Sequence, residues 1–447
     1  MANDFLAFHD RYHHFFQVHK KSVAYQSQQY LCGLMQAIKK NMERMTDVVP
    51  DSNWQSIQNF ISHSPWDSGA LLDQIAIDAN ALIGGNADSC LIADESGFTK
   101  KGKKSVGVSR QWNGRQGKID NCQVAVYAAL CCRDRVCLTD TRLFLPENWT
   151  NDKQRCLEAG VPTDRLEHRK KSDLAFEMVQ SAREKGLSFQ WVGGDAFYGD
   201  DPGFLRQLDQ IGEIFMLDVH KDQTIYLEDP MPYVPNRKSS RGPTPKLLKT
   251  DLVGQQVSQW AKQQPKSTWK KVFIRDSTMG ILTAKVLHRE VWLWDGKETY
   301  ANKWQLVVTV APNSKNKIKY SRSNAPSDTT LERLVFMQSQ RYWVERAIED
   351  GKSHAGLADY QVRGWTGWHH HMAMVMLALL FMLETKTKNE DSFQLLSCYD
   401  VQDLLAHFLP RRDITKQEVL RQMLVRHRQR AVSIDYHYKY QMVDKFD

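Results

Sequence analysis

A short apolar run that ends on an acid and then breaks at a glycine, Cys90-Leu-Ile-Ala-Asp94-Glu-Ser-Gly-Phe-Thr99, constrains this chain more than any other stretch. A run of that length, bounded by turn residues, reads as a buried strand that delivers one carboxylate at its end. A second run of the same kind lies downstream, Phe189-Gln-Trp-Val-Gly-Gly-Asp195-Ala-Phe-Tyr198. A third carboxylate, Glu345, sits inside a helical pattern, Arg341-Tyr-Trp-Val-Glu345-Arg-Ala-Ile-Glu349-Asp-Gly-Lys352. Two strand-end aspartates and one helix-borne glutamate make a cage for divalent metal, and the chemistry such a cage serves is attack on a phosphodiester.

Phosphodiester transfer needs an oxygen nucleophile activated, a leaving oxygen stabilised and a crowded negative phosphorus accommodated. Two Mg²⁺ ions about 3.5–4 Å apart can do all three. Mg²⁺ is hard and takes oxygen ligands, so the pattern calls for Asp, Asp and Glu rather than His or Cys, and Mn²⁺ can substitute. Asp94 is assigned the bridging position, with Asp195 and Glu345 on opposite sides. At about 100° per helical residue, Glu345 lies about 40° around from Arg341 and Lys352 about 20°. The carboxylate therefore shares a face with two cations suited to phosphate. The competing reading is an ordinary surface pair between Arg341 and Glu345. Glu349 shares roughly this face and competes for the third ligand position. Glu95 is expected on the other side of its strand from Asp94, in a structural role.

The chain of 447 residues, 42% hydrophobic and 25% charged, is long enough for two to four domains around a large core. Its net charge of +8 suits a polyanionic partner. Met1 to Lys21 lacks the apolar core of a secretion signal, and the longest apolar run, Met372 to Leu383, is too short to span a bilayer. The eight cysteines show no Cys-x-x-Cys pair and read as reduced thiols.

Five segments are expected. Residues 1–88 are helical, with an N-cap at Asp67 or Ser68, and serve as a DNA-binding or dimerising module or as a cap on the core. Residues 89–220 carry strands at Ser105 to Gln111, Asn121 to Leu130 and Val136 to Leu145, then a helix from Ser172 to Lys185. The Asp195 strand, a helix from Pro202 and a strand from Ile214 to Val219 follow, which makes a mixed α/β (α+β) core. Residues 221–304 form a β-rich insertion, with strands at Val272 to Asp276, Ile281 to Arg289 and Val291 to Asp295. Residues 305–385 return to the core through a strand, one long helix from Asp328 that carries Glu345, and an apolar core helix at Trp365 to Leu383. Residues 386–447 are a basic tail, helical from Arg411 to Arg430.

Several basic and aromatic groups are candidates for DNA contact. Lys100, Lys101, Lys103 and Lys104 follow the first acidic strand; Lys103 is the nominated contact, against the reading of a solvated turn. Arg237, Lys238 and Arg241 lie in a Pro-rich exposed loop. Trp292 or Trp294 on the insertion could stack on a flipped base or simply pack; Trp292 is the nominated residue. Three consecutive histidines, His369 to His371, point about 100° apart and do not share one ion easily; a phosphate contact by one of them is the stronger functional reading.

Arg341-x3-Glu345-x6-Lys352 resembles the signature of DDE insertion-sequence transposases of the clan with a β insertion before the catalytic glutamate. That signature has a tyrosine three residues before the arginine, where this chain has Gln338. The resemblance extends to the insertion-sequence 701 family of bacterial transposases. It is carried by Asn59-Phe-Ile-Ser-His-Ser-Pro-Trp66, Asp94-Glu-Ser-Gly-Phe98, Ser105-Val-Gly-Val-Ser-Arg-Gln111, Gly117-Lys-Ile-Asp-Asn-Cys-Gln123, Gly193-Gly-Asp195 and Gly364-Trp-Thr-Gly-Trp-His369. It implies an RNase H-like core with Asp94, Asp195 and Glu345 as metal ligands. It also implies cut-and-paste transposition on terminal inverted repeats and target DNA, in a bacterial cytoplasmic, nucleoid-associated protein. Paired ends require two active sites, hence a homodimer or larger assembly. The rivals are a domesticated DNA-binding descendant and a non-transposing nuclease on the same core; end cleavage tests the first and strand joining the second.

Overall fold

Burial is nearly continuous along Ser89–Phe98 and again along Cys122–Cys131, and the sheet is built on those two runs. In the computed structural model, residues 1–447 are described except 115, 238–244, 278–279, 311–317 and 444–447, and the side chains of 277 and 440–443. Ten strands form one sheet: β1 (Ser89–Thr99), β2 (Ser109–Asn113), β3 (Lys118–Cys132), β4 (Arg135–Leu143), β5 (Trp191–Gly194), β6 (Phe215–Val219), β7 (Lys270–Ser277), β8 (Gly280–Leu293), β9 (Asn302–Val310) and β10 (Ile318–Ser323). The order across it is β7-β8-β9-β10-β6-β5-β1-β3-β2, and β4 pairs with the second half of β3. β1, β5 and β6 run parallel, and the other pairings are antiparallel. The section β4-β3-β1-β5-β6, an antiparallel meander followed by two parallel strands, is the RNase H-like arrangement expected. The strands between 270 and 323 continue that sheet beyond β6 instead of forming a separate one.

Helices cover the sheet. Helices α1 (Ala2–Asp10), α2 (Ala24–Gln36), α3 (Trp54–Ser62) and α4 (Ser68–Ile83) come first. The Asp67 carboxylate caps α4 by accepting the Gly69 and Ala70 N–H groups, as its sequence predicted. Next are α5 (Lys171–Glu184) and α6 (Pro202–Gln210), the latter capped by Asp201 with proline at its first position. Then come α7 (Leu331–Ser339), α8 (Arg341–His354), α9 (Trp365–Lys388), α10 (Cys398–Phe408) and α11 (Lys416–Val443).

Helix α9 is the hub. It is long and apolar enough to cross a membrane, but 89% of its apolar window is buried, against α2, α3, α4 and β4. The N-terminal helices bring aromatic rings to it: Phe5 meets Phe381 edge-on at 4.8 Å, and Trp66 stacks on His370 at 4.0 Å. His370 sets its two ring nitrogens against the Ile61 and Trp66 carbonyls, of which a neutral ring donates to one, and His371 bonds to Tyr30 Oη and the Gly356 carbonyl. Burial holds both imidazoles well below their ordinary pKa, to about 4 and about 3, so they are neutral packing groups and not phosphate-binding cations.

Local pattern misled at five places. Ser105 to Val108 is a turn, and β2 begins only at Ser109. The segments 281–289 and 291–295 are one continuous strand, β8, because β9 pairs along its second half without a break. The single helix expected from Asp328 is two, interrupted at Gln340, whose N–H reaches back only three residues to the Met337 carbonyl. Strand β10 went unseen because its sequence, Ile-Lys-Tyr-Ser-Arg-Ser, has little apolar character, yet Ser321, Arg322 and Ser323 are buried between β6 and β9. The helical tail starts at Lys416 and runs past Arg430, after a separate α10.

Leu380→Ala, at a fully buried position of α9, should cost about 2–5 kcal/mol of stability. Ile414→Ala, at a residue 91% exposed, should shift it by under about 0.5 kcal/mol; urea unfolding midpoints check both.

Candidate active site

The strand register builds the site. In the β1–β5 pairing Ile92 lies beside Gly193, so two residues further on Asp94 stands beside Asp195. Asp195 is the first residue past β5, but Asp94 lies in the middle of β1 and not at its end as the sequence suggested, because β3 pairs with β1 on through Thr99. In the β5–β6 pairing Gly194 lies beside Leu217, which puts Asp218 next in the row. Asp218 then sits opposite Ser321 of β10. Three carboxylates thus stand in one row across three adjacent parallel strands.

Beyond β5 the chain turns through Ala196–Gly199, capped by the Asp195 carboxylate, which accepts the Phe197 N–H at 3.0 Å. The turn presses on β6 so closely that a Cβ at Gly199 would stand 1.8 Å from the Asp218 carbonyl oxygen. Only glycine permits that approach. Burial pushes the Asp94 carboxyl up to about 8, the charge of Asp195 adds to the rise, and Arg341 opposes it. Burial and then the charge of Glu95 push Asp195 up to about 6, against Arg341 and two backbone N–H groups.

Helix α8 docks on β1 through Lys352, whose Nζ donates to Ser96 Oγ at 2.5 Å, two residues past Asp94. At its other end Arg341 Nη2 lies 2.6 Å from Glu345 Oε1, and Arg341 Nε lies 2.9 Å from Asp218 Oδ2. Burial works against the guanidinium charge, but Asp218, Glu345, Asp94 and Asp195 together hold its pKa above the ordinary value. Arg341 is therefore the link between Glu345 and the aspartate row, which an exposed i,i+4 pair would not be. Glu349 is exposed and faces Arg346 at 3.8 Å.

Two features escaped the sequence reading. Asp218 was passed over, although Phe215-Met-Leu-Asp-Val219 repeats the apolar-run-and-acid pattern of the Asp94 strand. Glu95 pairs with Lys171 at 3.0 Å, as a structural residue would. Its charge nevertheless bears on Asp195 more strongly than any other ionised side chain, so it is not isolated from the acidic row by strand alternation.

The remaining nominated residues are dispersed. Lys103 is exposed in the turn after β1, where its carbonyl accepts from Arg155. Its neighbour Lys100 folds over the Tyr360 ring at 3.4 Å, and burial lowers its pKa to about 8. Arg237 is exposed in the loop after β6; Lys238 and Arg241 lie outside the described residues. Trp292 is half-buried on β8, three strands along from β6, with its backbone bonded to Tyr226. Trp294 instead lines a cavity of about 400 Å³ with Tyr300, Trp304, Arg206 and Arg322.

Among the described residues no three His, Cys, Asp or Glu side chains stand together closely enough to hold an ion as they are, since Glu345 is drawn onto Arg341. The donor chemistry fits a hard divalent cation all the same. It is oxygen only, and two adjacent buried carboxylates resist ionising without a compensating charge.

A family model for DDE superfamily endonucleases matches residues 9–281. The chain belongs to that family. The match takes in Asp94, Asp195 and Asp218 and stops short of Glu345, whose link to the row rests on Arg341. The chain is 23% identical over 332 residues to a probable transposase for insertion sequence element IS701 from Microchaete diplosiphon, covering 72% of this chain and 73% of that one. The expected kinship with the insertion-sequence 701 transposases is borne out. The NurA nuclease from Sulfolobus solfataricus aligns at 9% identity and a TM-score of 0.26, over 63% of this chain and 85% of that chain. DDE superfamily endonucleases depend on divalent metal.

Asp94 and Asp195 have folded pKa values above their ordinary 3.8, so their protonated forms favour the fold. That contribution is complete below about pH 4 and is lost as pH rises through about 6 for Asp195 and about 8 for Asp94. In EDTA, Asp94→Asn should therefore melt above wild type at about pH 9 and lose its advantage by about pH 5. Added Mg²⁺ should raise the wild-type Tm at high pH and leave that of Asp94→Asn nearly unmoved.

Proposed function

We propose that this DDE-superfamily protein is an insertion-sequence transposase that nicks DNA at transposon ends and joins the freed 3′ end to target DNA. The observation that carries the reading is the placement of Asp94, within β1, beside Asp195, just past the end of the parallel strand β5, with Glu345 tied to them through Arg341. Asp94, Asp195 and Glu345 would hold the divalent cations. Those cations supply the positive charge that activates an attacking oxygen and stabilises a leaving one.

The chain's own groups do the rest. Arg341 offers a planar fork and Lys352 a point charge for the phosphate oxygens. An open trough of about 610 Å³ runs beside Ala196 and Phe197, lined by His168, Lys170, Lys171 and His220 together with Asp200 and Asp201. Phe197 is 43% exposed there. An exposed aromatic ring beside Lys170 offers a base a stacking surface, whereas Lys171 is paired with Glu95 and His220 with Asp200. Lys103, Arg237, Arg241 and Trp292 extend the candidate DNA surface. The arginines of α11, among them Arg421, Arg428 and Arg430, would add sequence-independent affinity for phosphate. Two ends cut together call for two copies of the chain.

The test is incubation of the full chain with the DNA that flanks its gene, with Mg²⁺ or EDTA, beside Asp94→Ala, Asp195→Ala and Glu345→Ala. Metal-dependent nicks at the ends, absent in all three variants while end binding persists, support the reading. Binding without any nick leaves a DNA-binding descendant, and nicking without joining leaves an endonuclease. Cleavage that survives Glu345→Ala and is lost in Glu349→Ala moves the third ligand to Glu349. Phe197→Ala should weaken binding of single-stranded end DNA about tenfold and Phe197→Trp should restore it, since stacking is worth about 1–3 kcal/mol per base; fluorescence anisotropy reads the effect.

A further inference from the structure

Gln338, which stands where the resembled signature has tyrosine, turns into the protein and is 5% exposed. Its Nε2 donates to Ser321 Oγ at 2.8 Å, and Ser321 Oγ donates to Asp218 Oδ1 at 2.5 Å. The other Asp218 oxygen, Oδ2, forms an ion pair with Arg341 Nε at 2.9 Å, out of line with its N–H, which makes no hydrogen bond, and Arg341 Nη2 pairs with Glu345 at 2.6 Å. The direction of this chain is fixed by chemistry. An amide nitrogen only donates, an ionised carboxylate only accepts, and the single Ser321 hydroxyl proton must therefore point at Asp218. Ser321 is fully buried and sits opposite Asp218 in the β6–β10 pairing, so the sheet itself sets the spacing.

The need for such an anchor follows from charge. Arg341 stands within electrostatic reach of four carboxylates, Asp218, Glu345, Asp94 and Asp195. A free guanidinium beside two adjacent aspartates would pair with them, because a bidentate Arg–carboxylate contact is the strongest neutralisation on offer. It would then occupy the groups that a divalent cation needs. Asp218, held from behind by Ser321 and Gln338, takes the Nε side of the fork and leaves the Nη side toward Glu345.

We propose that Asp218, Ser321 and Gln338 are positioning residues that hold Arg341 off the Asp94–Asp195 pair and thereby keep that pair available to a divalent cation. The role rests on the reading of Asp94 and Asp195 as cation ligands, and it is tested without DNA or turnover. Because Ser321 lies on β10, which pairs with β9, the relay also ties the strands of 270–323 to the site. Arg322, the next residue, lines the Trp294 cavity.

The experiment is a double-mutant cycle read by Mn²⁺ binding to the metal-free full chain, with calorimetry or electron paramagnetic resonance, and by thermal melting. Asp218→Asn should weaken Mn²⁺ binding about tenfold or more in the wild-type background. It should weaken it less than about twofold in an Arg341→Gln background, where no guanidinium is left to misplace. Ser321→Ala keeps the Asp218 charge and should follow the same pattern with a smaller drop, which keeps the test open if Asp218→Asn folds poorly. Equal losses in both backgrounds would show a generic charge or packing effect and overturn the proposal, as would a wild type that binds no Mn²⁺. A wild type that binds Mn²⁺ with the expected coupling but cuts no end DNA sinks the transposase reading and leaves the relay standing. Cutting with no coupling does the reverse.

Discussion

Repulsion between two carboxylates placed side by side is the constraint about which this molecule is arranged. Asp94 and Asp195 are brought together by the parallel pairing of β1 and β5, and burial raises the pKa of both, with Asp195 adding to the rise at Asp94. A fold arranged only for stability would not assemble such a pair, since each buried charge disfavours the other. The pair is held because the strands that carry it are locked from both sides. Ala93 and its neighbours in β1 are buried against β3, and the Gly199 turn seats against β6 at a distance no side chain allows. Local destabilisation at a site supported by a large, rigid surround is the usual signature of groups kept for chemistry.

The cations around the pair are arranged with the same economy. Lys352 pins the far end of α8 to β1 at Ser96, and Arg341 holds the near end between Asp218 and Glu345. The break at Gln340 matters here. An unbroken helix from α7 through α8 would keep one axis, whereas the tightened turn lets α7 pack on β6 and β7 while α8 packs on β1, β3 and β4. Gln338 and Arg341, three residues apart across that break, then meet the same carboxylate from different directions, one through Ser321 and one directly.

The sheet also takes in the long excursion between β6 and α7. Its strands are hydrogen-bonded edge to edge with the strands that carry the aspartate row, so the Trp294 cavity and that row belong to one continuous sheet, with Ser321 of β10 opposite Asp218.

Much was legible from the residues alone, and the reason is local in each case. Asp94 and Asp195 were visible because an acid that closes a buried apolar run is an energetic anomaly in one dimension, before any fold is known, although β1 in fact runs on past Asp94 to Thr99. The caps at Asp67 and Asp201, the buried character of α9 and the helical setting of Glu345 followed from periodicity and turn chemistry. Shared helical phase put Arg341 and Glu345 on one face, and the ion pair between them agrees. What stayed hidden depends on partners distant in sequence. β10 is a polar strand that is buried only because β6 and β9 enclose it, and Asp218 acquires meaning only beside Arg341, 123 positions on. Glu95 pairs with Lys171 yet bears on Asp195 through its charge, which strand alternation alone did not suggest. The sequence by itself singled out Asp94, Asp195 and Glu345 as candidates for the chemistry, through composition and short-range period. Which of them face one another was decided by strand register and helix docking, since those depend on side-chain packing across the whole sheet and not on any local run.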